Sequence, residues 1–339
     1  MSSNDLKEIF LSKIGSTLLY DSLYLFLIVP MSVIGTILNI ISLIIFFRKN
    51  MRNLSFYKYY QIYAINSLIL SFTLSLNFLH SPRFFFDLSI SRAARIFKCL
   101  IELSYVLPLA LFYSNAMNIL LNIERATCFT TKFKYFKNTS PYLICFWLLL
   151  ICTIVNMPAY FLIRPASDKE INDALTNLTG SFKSLCLRNN NILKDTIFGI
   201  VITLFGIIIK GLFTLIIDIA SNFISIYYFK KYLQKKIISF NLNNELLTSI
   251  IQMKRIESMK RKQTMMTIYL TTFSIIVELS ANVIIFFFSK NFTLLYAIEF
   301  LVCFLIAFKQ IMNFFFYYWF NSNFKIFLNK VFKISFRIN

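Results

Sequence analysis

The chain has 339 residues, of which 58% are hydrophobic and only 15% charged; Phe alone occurs 40 times, and the net charge is +20. Such a composition excludes an ordinary soluble domain. One His and no grouping of His, Cys and carboxylates at metal-ligand spacing leave a metalloprotease or hydrolase without its chemistry, so no enzyme activity, cofactor or metal is expected.

A bilayer is crossed by about 20 mostly apolar residues in helical form. Runs of this kind lie near residues 18–47, 57–80, 97–123, 142–163, 197–229, 264–288 and 294–320. In lipid every backbone amide needs an internal partner, and alternating strand patterns are absent. The fold class read from the sequence is therefore all-α, a seven-transmembrane helix bundle spanning 18–320, with a tail at 1–17 and a cytoplasmic segment at 321–339. Orientation follows from the basic residues. With the N-terminus extracellular, the inner segments carry 21 Lys and Arg against 11 outside, which satisfies the positive-inside rule. The excess charge is then a cytoplasmic face attracted to anionic lipid, and no nucleic-acid partner is implied. This places the chain in the plasma membrane as a multi-pass protein.

Taken in order, the tail carries no cleavable signal, and the first span serves as an uncleaved anchor. Within that span Gly35 and Asn39 share a face, where a small residue admits a neighbouring helix and an amide can bond across to it. The second span has a polar stripe, Asn66, Ser67 and Ser71, expected to face inward. His80, at its end, reads as an interfacial residue. The third span carries Asn115, Asn118 and Asn122, which are costly toward lipid and should face the bundle. It ends at Asn122-Ile123-Glu124-Arg125-Ala126, where the apolar run gives way to the basic residues Lys132, Lys134 and Lys137. An acid followed by an arginine at this border can hold the guanidinium in a local ion pair until something competes for it; alternatively Arg125 snorkels to headgroups.

The second outer loop, about 164–195, reads either as a ligand-contacting lid or as a solvated loop. The fifth run, 196–229, is long for one crossing and contains Lys210 and Asp218, both expected to point inward or to an interface. The loop at 230–262 is basic and extends both flanking helices, a surface fit for an acidic partner or for lipid. Glu278 in the sixth span, and Glu299 and Lys309 in the seventh, are buried charges, hence functional candidates or mutual structural partners. Beyond the seventh span Phe324, Phe327, Leu328, Val331 and Phe332 repeat at helical spacing among lysines, giving a short amphipathic helix on the inner membrane surface.

Only Cys99 and Cys186 fall in outer segments, so they form either one disulfide or two buried thiols. The sequons at Asn177 and Asn291 are outside and can be glycosylated, whereas those at Asn53 and Asn138 are inside.

Together these residues resemble the rhodopsin-like, class A, G protein-coupled receptors over essentially the whole chain. Glu124-Arg125-Ala126 resembles the family's acid-Arg-Tyr motif with Ala in the last place, and Asn313-Phe-Phe-Phe-Tyr317 its Asn-Pro-x-x-Tyr with Phe314 for Pro. Asn39, Asn66, Trp147, Pro158 and the Cys99/Cys186 pair occupy similar places. In style Lys309, Asn313 and the Phe-Lys helix look most like divergent invertebrate neuropeptide-type receptors. The family's Cys-Trp-x-Pro is missing from the sixth span, as is the fifth span's Pro.

The resemblance implies a receptor that passes the binding of an extracellular ligand to a heterotrimeric G protein. It makes Glu124, Arg125, Asn313 and Tyr317 the activation switch and Asn39, Asn66, Ser71 and Lys309 the bundle's polar network. Ser71 stands where the family has a sodium-binding Asp, so no sodium site is expected. Leu107 stands at the amine receptors' Asp, and Ala307 at the retinal lysine. A peptide is the remaining ligand class, with Glu102, Glu278 and Glu299 as acidic contacts. The alternative is a membrane transporter or ligand-gated channel, which the absence of matching halves and of Gly/Pro-broken spans weakens.

Overall fold

The structure is a computed structural model describing residues 22–52, 55–76, 106–129, 138–165, 186–188, 211, 213–240, 247–288 and 292–337. Its first helix begins on an irregular turn: Tyr24–Ile28 is π-helical and leads into α1, Val29–Phe46. Pro30, the second residue of α1, has no N–H to donate to the preceding turn, and the wider π turn accommodates its ring. A single helical turn, Lys49–Arg52, precedes α2, Ser55–Leu76. α3 is Val106–Phe129 with Pro108 in its first turn, and α4 is Pro141–Leu162, with proline at the first position, where the missing N–H costs nothing. Then come α5, Thr214–Phe240, α6, Leu247–Phe288, α7, Phe292–Phe320, and α8, Ser322–Arg337.

Two strands were not anticipated. β1, Ile163–Pro165, continues directly from α4 and pairs antiparallel with β2, Cys186–Arg188, with Pro165 opposite Cys186. Three residues per strand are too few for a hydropathy pattern to register.

The helices close a circuit: α1 packs on α2, α2 on α3, α3 on α5, α5 on α6, α6 on α7, and α7 back on α1. Among the described residues α3 also touches α4 and α6, giving it four principal neighbours, while α4 packs mainly on α2 and α3. α8 turns off α7 and packs against α1.

Polarity runs inside out. On α1 the small and polar residues Ser32, Gly35, Asn39 and Ser42, spaced three or four apart, face inward and are buried, whereas Phe26 is 72% and Ile37 52% exposed. Elsewhere Phe146, Ile151, Ile154 and Ile216 point outward, while Asn118, Asn122, Asp218, Thr271 and Lys309 are buried. Apolar area in water costs about 25 cal/mol per Å². A surface of this kind is therefore stable against hydrocarbon. The stretches Tyr24–Phe46, Val106–Phe129 and Phe300–Phe320 are each long and apolar enough to cross a membrane, and Pro141–Met157 is a shorter apolar stretch. The chain is a membrane protein.

One helix boundary departs from the hydropathy reading. α3 does not end at Ile123 but continues to Phe129, which places Glu124 and Arg125 inside the helix. α5 runs on to Phe240 and α6 starts at Leu247, so the basic segment at 230–262 is largely helical, as its expected extension of both flanking helices requires. His80, Cys99, Glu102, Asn177, Lys210 and Asn291 lie outside the described residues.

Candidate functional site

Near the end that carries α8, α3 presents Glu124 and Arg125. Arg125 is only 2% exposed, so it does not snorkel. Its Nη2 lies 2.8 Å from Glu124 Oε2, and its guanidinium carbon sits 3.2 Å from the centre of the Phe56 ring on α2. The pair is close without being aligned: Arg125 Nε and Nη2 make no hydrogen bond to described protein atoms. A planar cation on an aromatic face gains attraction without using its in-plane donors. Arg125 is thus shielded yet retains unspent donors.

Around it lies an aromatic core from α1, α2, α7 and α8: Phe46, Phe56, Tyr57, Tyr60, Tyr317 and Phe324. Tyr317 meets Phe46 edge-on at 5.0 Å and Tyr60 at 5.5 Å. Tyr60 meets Phe56 edge-on at 4.5 Å, so the ring that covers Arg125 is itself held by the ring that touches Tyr317. Such pairs add about 0.5–1.5 kcal/mol each beyond burial.

Higher in the bundle, the predicted polar residues do meet. Asn39 Nδ2 donates to Gly35 O at 2.8 Å and more weakly to Ser71 Oγ at 3.5 Å. Asn66 Nδ2 donates to Ala110 O at 2.9 Å, joining α2 to α3. Asn313 Nδ2 donates to Ser67 Oγ at 3.4 Å and Gln310 Oε1 at 3.5 Å. A Cβ at position 35 would lie 3.0 Å from Ser71 Oγ and 3.5 Å from Gln310 Cβ, so the glycine is what lets α1, α2 and α7 approach this closely.

Lys309 does not join Asn39 and Ser71. Its Nζ lies 3.6 Å from Glu278 Oε1, an ion pair between α7 and α6. The same carboxylate oxygen accepts from Ser274 Oγ at 3.1 Å, which accepts from Asn118 Nδ2 at 2.6 Å. One line of polar contacts therefore runs α3–α6–α7. A second joins α3, α5 and α6: Asn122 Nδ2 donates to Asp218 Oδ1 at 3.3 Å and Ser221 Oγ at 3.2 Å, while Thr271 Oγ1 lies 3.3 Å from both Asn122 Oδ1 and Asn222 Oδ1. Asp218 points inward, as expected, and is 0% exposed.

Cys186 lies on β2, and its pairing with Cys99 falls outside the described residues, as does the side chain of Glu299 on α7. Sequence reasoning missed Phe56, Tyr57 and Tyr60, together with Gln263 and Thr267, which face them from α6. The available signal was the density of rings in Phe56-Tyr57-Lys58-Tyr59-Tyr60, with Tyr63 one turn on. Within a chain holding 40 Phe it does not stand out.

No family model matches the chain, and no curated protein matches it. Among solved structures it is similar to squid rhodopsin, with a TM-score of 0.67 and 14% sequence identity over 93% of this chain and 80% of that one. At that identity the likeness is one of fold, and the fold is the rhodopsin-like seven-helix bundle followed by a short helix.

Proposed function

We propose that the chain is a G protein-coupled receptor of the plasma membrane, with its N-terminus outside, which answers an extracellular peptide by exposing Arg125 to a heterotrimeric G protein. The observation that carries this reading is the buried Glu124–Arg125 pair under Phe56, inside a rhodopsin-like bundle. A charge with unspent donors, enclosed by aromatic rings from several helices, suits a two-state element that a ligand at the opposite end can bias. Asn313 and Tyr317 belong to the same element. Asn39, Asn66 and Ser71 hold the static side of the bundle, and Lys309 bridges to the mobile side through Glu278.

Within this reading Glu102 and Glu299 contact a basic ligand, and Glu278 is reached only by a ligand that competes with Lys309. Cys99 and Cys186 pair across the outer face, and Asn177 and Asn291 carry glycans. α8 rests on inner-leaflet lipid, an assignment supported by the exposure of Lys325, Ile326 and Lys330.

The test is recruitment of a panel of G proteins in cells expressing the chain, screened against a peptide library beside an Arg125→Ala control. A ligand-dependent signal that the control loses by tenfold or more is expected. Surface-expressed protein that recruits nothing and instead passes a ligand-evoked current would replace this reading with a channel.

A further inference from the structure

The start of α2 touches three things at once. Phe56 covers the Arg125 guanidinium. Tyr60, one turn later, lies 2.8 Å from Thr267 Oγ1 on α6. Thr267 places its own proton on Gln263 O at 3.1 Å, so the Tyr60 hydroxyl is the donor across the helix gap. Tyr57, beside Phe56, accepts from Gln263 Nε2 at 3.1 Å and donates to Asn321 Oδ1 at 3.2 Å. Asn321 Oδ1 also accepts from Phe324 N at 3.1 Å, at the start of α8.

Gln263 and Thr267 are four residues apart and therefore on one face of α6. Two tyrosines one turn apart on α2 meet one donor, Gln263, and one acceptor, Thr267, one turn apart on α6. Such a two-point contact resists both translation and rotation of α6. The rings add the coupling: Tyr60 is packed edge-on against Phe56 at 4.5 Å, so displacing α6 disturbs the residue that shields Arg125.

We propose that Phe56, Tyr57 and Tyr60 form a clamp through which α2 holds α6 and Arg125 in the closed arrangement together. On α6, Thr267 accepts from Tyr60 and Gln263 donates to Tyr57. The restraint on α6 is then a pair of neutral hydrogen bonds between α2 and α6, one donated from each side, rather than an ion pair reaching from Arg125 to α6; the acid contacting Arg125 is its own neighbour Glu124. Neutral bonds are little affected by salt, so ionic strength does not set the closed population. This rests on the receptor reading above, because only a moving α6 makes a clamp useful.

The experiment uses the full chain in lipid nanodiscs with spin labels carried on noncanonical residues at Lys49 and Arg261, both exposed. Pairwise distances are measured in the parent protein, Tyr60→Phe, Thr267→Val and the double variant; Tyr57→Phe provides the second contact. Removing one hydroxyl while keeping its ring should raise the open population about 3- to 10-fold. The double variant should open no further than either single one, because all three remove the same bond. An unchanged distance distribution in both Tyr60→Phe and Tyr57→Phe overturns the clamp. So does equal closure of all variants whose opening depends instead on salt. Opening without nucleotide exchange on any G protein upholds the clamp and sinks the receptor reading, which keeps the two failures apart.

Discussion

Lys309 and Glu278 show what a single residue's chemistry decides and what it leaves open. Each is costly in hydrocarbon, so either alone predicts a partner. Their meeting at 3.6 Å, with Ser274 and Asn118 continuing the line, satisfies that demand. A buried pair is an asymmetric asset: removing one partner strands the other, whereas replacing both by apolar groups of similar size is far less harmful. Lys309→Met should therefore cost about 3–5 kcal/mol, and Lys309→Met with Glu278→Leu clearly less. Thermal melting of the purified variants in one detergent checks this, and a double variant melting below the single one would contradict it. The cost of these charges was legible in the sequence. Their pairing stood there only as one of two alternatives, because nothing in the local sequence says that α6 and α7 are rotated to face one another, and Glu278 equally fits a ligand contact.

At the scale of elements, hydropathy located the helices and misplaced some of their ends. Glu124 and Arg125 were read as the border of the third span because a window sum registers charge without registering its partners. Inside the fold Glu124, Phe56 and the α2 rings supply those partners, and α3 continues for another turn, to Phe129. The amphipathic helix after the seventh span was read correctly from its 3.6-residue period and runs over Ser322–Arg337. Its start was not read. Asn321 caps α8 by accepting from Phe324 N, and the same oxygen accepts from Tyr57. Asn321→Ala removes the cap and the Tyr57 acceptor together. Amide hydrogen exchange in the first turn of α8 should accelerate about fivefold, in line with roughly 1 kcal/mol for a cap, while exchange in α3 is unchanged. Equal protection with and without Asn321 would show that packing of Phe324 and Leu328 alone seats the helix.

For the whole molecule the governing fact is the solvent. Ser32, Gly35, Asn39 and Ser42 line the inner face of α1 while Phe26, Ile37 and Ile44 look out, the reverse of a water-soluble bundle. A lipid-borne photoreactive probe should accordingly label Phe26, Ile37, Ile44, Phe146, Ile151 and Ile154 and spare Asn39 and Ser42; labelling with no helical periodicity would count against this arrangement. By itself the sequence determined the solvent, the helical class, the seven crossings and the amphipathic tail. Each of these is a sum or a period over residues adjacent in the chain, which composition and spacing carry directly. Only the tertiary structure decided that Glu278 holds Lys309, that Asn122 meets Asp218, that Phe56 covers Arg125 and that the α2 tyrosines reach α6. Those contacts join residues from about 30 to more than 250 positions apart, and they depend on the rotation and tilt of each helix. Rotation and tilt are set by the packing of all the neighbours at once, which no single helix encodes.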